Sequence, residues 1–452
     1  LATFTFCADG SSKFGPDKRW GYFPSGALAW IISEENFLKD YSHIVSYLKL
    51  RASIGKTGSQ NLGNYDWRTL MGSVTYNGAP GIKPSSLGND ILQWASQVQK
   101  EIGLDYGFWD DRIRGSIGYY QKKVDNLLYS DPVPYSSSFS SVTQNIGSLK
   151  NKGFEFDVKV DIIKNTQKDL TWDFDFNVAR NITTLEKLNS EAEYFGGGAY
   201  DYFKIKVGGK TGILYGYKYG GRLIRTNEEL VALKTVNPET GQQQYYRDNN
   251  NYERPGDLYI MDLDGDGQIT ADGDRTEIGN ANPDFFGGFG TTLYWKGLMV
   301  NATFTYSVGA DRFYDEEKSS AGDMNVYNTS KNTLKSWTMN PGVDRGYPRA
   351  MYYGWGSNSI ITNRYVHDAS FLRLSALNIS YRLPKRLFGS SIVDAIDLTF
   401  QATNLFTWTK YPGMDPQGNF STSYSAFYNM GIDYSSYPSA RTYNVGIKIT
   451  LK

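Results

Sequence analysis

The sequence predicts an all-β protein, a transmembrane up-and-down antiparallel β-barrel, and three observations predict it. Apolar and polar side chains alternate along many segments, and short and long connections alternate between those segments. Aromatic residues make up 15% of the 452 residues, and glycine occurs 47 times. Alternation gives a strand one apolar and one polar face, while aromatic residues and glycine suit strands and turns better than a helical bundle.

The clearest alternating segment is "TWDFDFNVAR", residues 171–180. Trp172, Phe174 and Phe176 alternate there with Asp173 and Asp175. A half-buried strand is typical of this period of two. Similar patterns predict about twelve strands, at 1–8, 20–32, 47–55, 98–109, 111–124, 153–162, 171–180, 284–295, 298–308, 370–383, 396–401 and 443–451.

The connections between these strands alternate in length. Short ones read "DD", "KNTQKD" and "KG", while the first, 9–19, is of middling length and residues 33–47 read as helix-like. A barrel that crosses a bilayer predicts tight turns at one rim and long extracellular loops at the other. A Greek-key sandwich does not sort its loops in this way. The long connections are 56–97, 125–150, 185–283, 310–369 and 409–439.

Tryptophan residues near the predicted strand ends favour a lipid-facing apolar side. Bands of aromatic residues mark the two membrane interfaces of such barrels. The loop pattern, the polar second face and the low mean hydropathy place the apolar face outside, against lipid. The tryptophans fit such bands once a barrel is accepted, although any β protein with ten tryptophans has some near strand ends. The tryptophans concerned are Trp20, Trp30, Trp109, Trp172, Trp295 and Trp408.

Composition excludes several other classes. Lysine plus arginine equals aspartate plus glutamate, 47 each, so no overall charge attracts nucleic acid. Cys7 is the only cysteine, which excludes an internal disulfide and a cysteine-based zinc cluster. His43 and His367 lie far apart in sequence and outside any metalloprotease pattern. The sequence predicts no catalytic residues and therefore no enzyme.

The acidic segment 262–274, "DLDGDGQITADGD", resembles an EF-hand loop. Gly267 stands at position 6, where the loop turns sharply, but position 12 is Gly273 instead of a carboxylate. Either Asp272 or Asp274 could therefore close the site. The spacing predicts a structural Ca²⁺ site in a long loop, and the alternative is an acidic turn that binds no metal. The predicted ligands are Asp262, Asp264, Asp266, Gln268, Asp272 and Asp274.

Aromatic residues in the long connections are candidates for lining a substrate path. Their rings could stack on sugars or on peptide side chains, although with 35 tyrosines in the chain chance placement is nearly as frequent. The candidates are Tyr65, Trp67, Trp355, Tyr411 and Tyr428.

Four phrases resemble one known family. Residues 8–37, 279–298 ("GNANPDFFGGFGTTLYWKGL"), 370–384 ("SFLRLSALNISYRLP") and 404–416 ("NLFTWTKYPGMDP") are similar to the C-terminal barrel of SusC/RagA-type TonB-dependent outer-membrane transporters of Bacteroidetes. The resemblance implies a barrel of about 22 strands with a plugged lumen, of which this chain holds the last twelve. It implies import of oligosaccharides, or of peptides in the RagA branch.

The resemblance also implies partners and a domain organisation. The partners are a SusD-like lipoprotein lid, TonB acting through an N-terminal region with the plug, and outer-membrane lipid, with a dimer of transporter–lid pairs as a further expectation. Residues 1–452 would be the C-terminal half of the barrel, and 185–283 a long extracellular loop carrying the acidic segment. The opening "LATFTF" already has the strand pattern, so the chain reads as a fragment.

Two departures and two alternatives remain at this level. Barrels of this class often end on an aromatic residue, whereas this chain ends Leu451-Lys452, and position 12 of the acidic loop lacks its carboxylate. One alternative function is a surface-binding or adhesive β protein without translocation, which an upstream plug would argue against. The other is an outer-membrane hydrolase, which the scarcity of histidine disfavours.

Overall fold

Twelve long antiparallel strands form one continuous sheet. They are β1 (Ala2–Gly10), β2 (Trp20–Ile31), β3 (Val45–Ser59), β4 (Ala95–Phe108), β5 (Ile113–Asp125), β6 (Ser148–Asn165), β7 (Leu170–Lys187), β8 (Phe285–Trp295), β9 (Leu298–Val308), β10 (Phe371–Arg382), β11 (Val393–Thr409) and β12 (Thr442–Leu451). Each strand pairs with the next along the chain. The predicted twelve-stranded up-and-down topology is confirmed.

The structure is a computed structural model, and it describes most of the chain. The described residues are 1–137, 139, 141–188, 194–196, 203–233, 235–236, 243–244, 253–319, 328–338, 346–350, 358, 360–389, 392–418, 431–434 and 436–451.

The connections divide the sheet into two rims. The short-turn rim carries the connections after β2, β4, β6, β8 and β10, and the long-loop rim carries those after β1, β3, β5, β7, β9 and β11. The turn between β8 and β9 has positive φ at both central residues, 46° at Lys296 and 85° at Gly297. This is the backbone of a type I′ hairpin turn, whose twist matches that of the flanking strands.

The connection at 33–47 is less helical than its sequence suggests. Its α-helix spans only Asn36–Lys39, preceded by a 3₁₀ turn at Ile32–Glu34, and β3 begins at Val45. Pairing of β3 with β4 from Val45 onward extends the strand into the segment that had a helical pattern. Tertiary pairing therefore overrides local propensity here.

The register places apolar and polar side chains on opposite faces. Phe176 lies opposite Phe289, which lies opposite Phe304, and the last two rings stack with centroids 4.6 Å apart. The next positions along the same strands, Asn177 and Thr305, point the other way because side chains alternate. We call these the apolar face and the polar face of the sheet.

No second sheet covers the apolar face in the described part of the chain. Its side chains are widely exposed, for example Phe4 at 76% and Val445 at 83%. Fully buried hydrophobic residues gather instead in the long connections, around Phe313 and Tyr365 in one cluster and around Phe14 and Leu92 in another. This arrangement excludes a β-sandwich, in which the apolar faces of two sheets pack together.

The predicted tryptophan bands lie at both rims. Trp30, Trp109, Trp172 and Trp295 are at the short-turn rim, and Trp20 and Trp408 are at the long-loop rim. All six are exposed. Side chains that combine an apolar ring with an N–H donor suit a boundary between apolar and aqueous surroundings.

Small elements organise the long connections. Paired strands are Met71–Tyr76 with Ala79–Pro84, Leu128–Pro132 with Ser141–Asn145, Tyr219–Leu223 with Leu258–Ile260, and Thr235–Val236 with Gln243–Gln244. A four-stranded sheet joins Tyr194–Gly196, Phe203–Ile205, Ile213–Tyr217 and Arg275–Asn280, and a three-stranded sheet joins Val366–Asp368, Asp311–Tyr314 and Ile432–Asp433. Further helices are Asn227–Ala232 and Asp315–Glu317, with 3₁₀ turns at Pro16–Lys18, Tyr135–Ser137, Thr166–Lys168, Lys331–Lys335, Asn363–Tyr365 and Lys385–Leu387.

None of the helices in the described residues has the length and apolar character needed to span a membrane.

Candidate functional site

Several charged side chains on the polar face are held in pairs. Arg51 contacts both Glu101 and Asp105, and its Nε lies 3.1 Å from the Asp105 carboxylate. On the same face, near the opposite edge of the sheet, Arg382 Nε lies 2.7 Å from Asp397 Oδ1. Such pairs reduce the net charge of a polar surface while keeping it hydrated. The polar face therefore suits a ligand or a protein surface of low net charge.

Neutral amide and hydroxyl groups connect neighbouring strands between these ion pairs. Asn378 Nδ2 donates to Asn301 Oδ1 at 3.1 Å, and Asn301 Nδ2 donates to Thr292 Oγ1 at 3.0 Å. The same row continues through Gln401 and Asn444 by register. Amides both donate and accept hydrogen bonds, so this row can bind water or polar neutral groups such as hydroxyls and peptide bonds.

A buried ion pair fixes the last long connection to the sheet. Arg373 on β10 and Asp415 are each 5% exposed, and Arg373 Nη2 lies 2.6 Å from Asp415 Oδ1. Arg373 also donates to Gln417 Oε1 at 2.8 Å and to Thr407 Oγ1 at 3.0 Å. Ser439 donates to Asp415 Oδ2 from its backbone N and its hydroxyl. The pair thus fastens both ends of the 410–441 connection to the sheet.

Burial and hydrogen bonding oppose each other at Asp415. Burial acts to raise the pKa of this carboxyl, but donors from Gln417, Arg373 and Ser439 outweigh it and hold the pKa below its ordinary value. The ionised form is therefore the one that the site favours. This is the behaviour of a structural anchor, because the charge stays fixed over the neutral range.

The connections after β7, β9 and β11 pack together at the long-loop rim. Phe313 and Tyr365, 0% and 1% exposed, meet with ring centroids 6.2 Å apart, and Ile432 packs in the same cluster. Phe313 N donates to Gly431 O at 2.8 Å, so the connections also share backbone hydrogen bonds. We call this cluster the loop core. It gives the long connections a fixed shape at one end of the sheet.

A buried carboxylate lies at the edge of the loop core. Asp257, which is fully buried, accepts from Arg349 Nε at 2.6 Å and from Asn358 Nδ2 at 2.7 Å. Burial raises the pKa of Asp257 above its ordinary value, and Arg349 acts in the opposite direction. Asn358 also accepts from the backbone of Leu258. These bonds tie residue 257 to a connection about a hundred residues later in the chain.

The acidic loop brings together three of its six predicted ligands. Carboxylate oxygens of Asp262, Asp264 and Asp274 lie within 4.8 Å of one another. Asp274 is fully buried and accepts from the backbone of Leu263 and Thr270, both at 2.7 Å. Asp274 therefore lies with Asp262 and Asp264, whereas Asp272 is outside this group and exposed.

Backbone turns organise the rest of the acidic loop. Asp262 accepts from the N–H groups of Gly265 and Gly267 at 2.7 and 2.8 Å, and Asp266 accepts from Gln268 at 2.7 Å. Gly265 and Gly267 have φ of 77° and 83°, where glycine carries no steric penalty. Burial raises the pKa of Asp274, and the neighbouring Asp264 and Asp262 add to that effect. Three converging hard oxygens fit the chemistry of Ca²⁺.

The predicted substrate-lining aromatics are not gathered in one place. Tyr65 is 60% exposed, whereas Trp67 is partly buried against the Phe14 cluster and carries the Arg68 guanidinium 4.5 Å from its ring centroid. Tyr411 is buried, donates to Asp433 at 2.8 Å and has little surface left for a ligand. Trp355 and Tyr428 lie outside the described residues. A lining role stays a prediction for this set.

Sequence reasoning missed the residues that organise the long-loop rim. Arg373 and Asp415 lie in the segments "FLRL" and "GMDP", and the sequence analysis assigned no role to either residue. Arg373 interrupts an apolar stretch with a charge at a position facing the polar side, which is a detectable signal. Its partner lies 42 residues later, and no local pattern indicates that pairing.

Comparison with known proteins decides the family. The family described as TonB dependent receptor-like, beta-barrel, matches residues 4–405. The chain belongs to this family. It is accordingly an outer-membrane β-barrel protein, and the apolar face of its sheet is the lipid-facing side.

Curated relatives narrow the type of TonB-dependent receptor. The chain is 34% identical to TonB-dependent receptor P3 of Formosa agariphila over 99% of its length, covering 44% of that protein. It is 30% identical to TonB-dependent receptor SusC of Bacteroides thetaiotaomicron over 99% of its length, covering 42% of that protein. The chain thus spans less than half the length of these relatives. It is a receptor of the SusC/RagA type.

A solved structure supports the same fold. The structure titled "Structure of the RagAB peptide transporter" matches 99% of this chain and 45% of the other, with a TM-score of 0.78 and 26% sequence identity. The RagAB peptide importer in its "open-open" state matches with a TM-score of 0.75. The twelve strands described above therefore correspond to part of a longer TonB-dependent receptor barrel.

Proposed function

We propose that this TonB-dependent receptor imports oligosaccharides across the outer membrane. The observation that carries the proposal is the polar face, which becomes the lumenal wall once the apolar face meets lipid. Several of its charges are paired, as in Arg51 with Glu101 and Asp105, and amides run in a row that includes Asn301 and Asn378. A neutral, hydroxyl-rich solute finds hydrogen-bond partners along such a wall without a fixed charge to trap it.

The proposal includes partners. A SusD-like surface lipoprotein would close the long-loop rim as a lid, and TonB would supply energy through an N-terminal region and plug. The loop core supports a lid, because its packed connections form a fixed platform. A pair of transporter–lid units could assemble as a dimer. The chain itself would bind and conduct, with no catalytic step.

Peptide import is the second candidate, and the likeness to RagAB favours it. RagAB is described as a peptide transporter, and its structure matches 99% of this chain. Amides on the polar face can bind peptide bonds as well as sugar hydroxyls. The two candidates differ in the class of solute that is imported. Uptake assays with oligosaccharides and oligopeptides can therefore distinguish them.

Uptake by the full-length transporter with its lid tests both candidates. A strain that lacks the transporter is complemented with the intact gene pair and supplied with oligosaccharides or with oligopeptides of similar size. Oligosaccharide import is expected to require the transporter, the lid and TonB. Uptake of peptides alone would favour the second candidate, and binding without uptake would favour the adhesive alternative. Cleavage of a supplied glycan or peptide by the purified full-length protein would favour a hydrolase.

We further propose that the acidic loop binds Ca²⁺ as a structural ion. Asp262, Asp264 and Asp274 supply the converging oxygens. Calorimetric titration of the full-length protein should give a dissociation constant on the order of 10⁻⁴ M, as in extracellular calcium modules. Asp264→Asn should weaken this binding, while Asp272→Asn, outside the cluster, should not. Equal affinity in the wild type and Asp264→Asn would refute the assignment.

A further inference from the structure

A group of cations lies on the apolar face, close to the long-loop rim. On neighbouring strands, Lys100 lies opposite Gln121, Gln121 lies opposite Lys152, and Arg180 lies opposite Phe154. One level nearer the rim, Lys123 and Lys150 lie opposite each other. The alternation of side chains puts all five on the same side of the sheet as Phe154 and Ile102.

Three of these cations have no acidic partner. Lys123 and Lys150 each lie 3.3 Å from Glu186, and Lys123 also reaches Asp125. Lys100, Lys152 and Arg180 are exposed, and no ion pair is recorded for them within the described ranges. The group therefore keeps a net positive charge. We call these three residues the cationic triad.

The change from apolar to cationic side chains is abrupt. Ile102 and Tyr119 are the apolar-face neighbours of Phe154 one level below Lys100 and Lys152. Arg180 lies opposite Phe154 in that apolar row, and Lys100 and Lys152 lie two residues, about 6.7 Å, nearer the rim, so the triad begins at the edge of the lipid-facing band. Lysine and arginine at such a height extend their charged ends into the headgroup region while their stems stay on apolar surface.

The rest of this face at the same rim is different. On β8 to β11 the corresponding positions are aromatic or aliphatic, with Phe285, Tyr306, Leu372 and Trp408. Exposed Lys56 on β3, opposite Val98, lies on the same face, so the cations occupy the neighbouring strands β3 to β7. A general requirement for solubility at the rim would distribute charge around the barrel, so the restriction indicates a local ligand of opposite charge.

We propose that the cationic triad binds the phosphorylated headgroup of a glycolipid in the outer leaflet. Lysine and arginine donors match phosphate oxygens, and the Gln121 amide between Lys100 and Lys152 can bond a sugar hydroxyl. The apolar band directly below accommodates the acyl chains of the same molecule. A free anion would use only the charges, whereas a lipid uses both surfaces. This inference rests on the outer-membrane location and is independent of the imported solute.

Lipid retention by the full-length transporter tests the proposal. The variant Lys100→Gln/Lys152→Gln/Arg180→Gln is compared with Lys168→Gln/Lys296→Gln/Arg386→Gln, which removes three exposed cations from the short-turn rim. Native mass spectrometry with added lipid A measures affinity. Each cation near a charged membrane surface strengthens binding roughly fivefold. We therefore expect affinity at least about tenfold lower in the triad variant and unchanged in the control variant.

Two further measurements keep the result interpretable. Dephosphorylated lipid A should bind the wild type no better than lipid A binds the triad variant, because the phosphate is the recognised group. The thermal midpoint of the barrel should be equal in both variants, so that a folding defect is visible. Three results would each overturn the proposal. They are equal lipid A affinity in all the proteins, preference of the wild type for inorganic phosphate over lipid A, and loss of self-association instead of loss of lipid binding in the triad variant.

Discussion

The apolar face of the sheet and the loop core use the same residue types in opposite surroundings. Phe4 and Val445 on the sheet are largely exposed, while Phe313 and Tyr365 in the loop core are buried. In the first region lipid replaces a protein interior, so the hydrophobic side chains need no protein partner. In the second, water surrounds the connections, and apolar side chains must cover one another. An exposed phenylalanine therefore identifies its solvent, lipid or water, only after the topology is known.

The two regions also differ in how the sequence encodes them. A lipid-facing strand needs only alternation, because any apolar side chain suits hydrocarbon. The loop core needs shape, as in the 6.2 Å contact of Phe313 with Tyr365, and specific bonds such as Tyr365 Oη to Asn358 O at 3.1 Å. The effect of a substitution should therefore depend on the polarity of the new side chain on the sheet and on its size and shape in the loop core.

Truncation of a loop-core ring should have the largest effect. Phe313→Ala is expected to destabilise the packed connections by about 3 to 5 kcal/mol, because it leaves a cavity that the neighbours fill only in part. Phe154→Ala on the apolar face should cost less, since lipid chains fill the space. Amide hydrogen exchange of the full-length protein measures both. Equal loss of protection in the two variants would remove the distinction between the regions.

A charge on the apolar face should have the next largest effect. Phe156→Arg is expected to cost roughly 2 to 4 kcal/mol near the bilayer midplane. Asp157→Arg lies one residue away on the polar face and should be tolerated better. Urea titration of the transporter folded into bilayers gives both free energies. Equal damage at the two positions would contradict the assignment of faces.

Loss of the charge at Asp415 tests the bond between the sheet and the last long connection. Asp415→Asn is expected to weaken the attachment of the 410–441 connection by about 1 to 3 kcal/mol, because Arg373 stays buried without a carboxylate. Hydrogen exchange at residues 415–418 measures this. Control substitution Asp394→Asn removes a carboxylate whose ion pair with Lys385 is exposed, and should have little effect.

The same carboxylate predicts a pH dependence. Because the folded-state pKa of Asp415 is lowered, its stabilising contribution is complete above the ordinary aspartate pKa and is lost as the pH falls through the folded value. Protection of residues 415–418 should therefore be constant near neutrality and fall in acid. Asp415→Asn should remove this dependence. An acid-insensitive wild type would show that the ion pair does not hold the connection.

A turn substitution should give the smallest effect. Gly297→Ala places a Cβ where φ is 85° and where Arg382 O lies 3.0 Å away. The cost is expected to be about 1 kcal/mol, because alanine at positive φ is strained. The same titration in bilayers measures it. Gly265→Ala, which meets no neighbouring atom but has similar φ, separates backbone strain from the contact.

The sheet was predictable because its signal is local. All twelve strands follow from alternation within about ten residues, and the parity of loop lengths gave their order. The short helix at Asn36–Lys39 was harder, since strand pairing from Val45 limits it. In the acidic loop, spacing alone left Asp272 and Asp274 equivalent. Backbone donors from Leu263 and Thr270 hold Asp274 beside Asp262 and Asp264, and these bonds depend on the folded loop.

The long-range contacts of the rim were not predictable from one sequence. Arg373 and Asp415 are 42 residues apart, and Asp257 and Arg349 are 92 apart. Nothing in either local pattern specifies its partner. The four phrases indicated the family, but the contacts between those segments appear only in the structure.

Spin labelling can determine whether the apolar face contacts lipid. The exposed Cys7 is first replaced by serine, and single cysteines are introduced as Phe156→Cys or Asp157→Cys in the full-length transporter in bilayers. Collision rates with oxygen, which concentrates in lipid, and with a water-soluble nickel complex are then measured. The label at 156 should favour oxygen and the label at 157 the nickel complex. Equal or reversed preferences would show that the apolar face does not contact lipid.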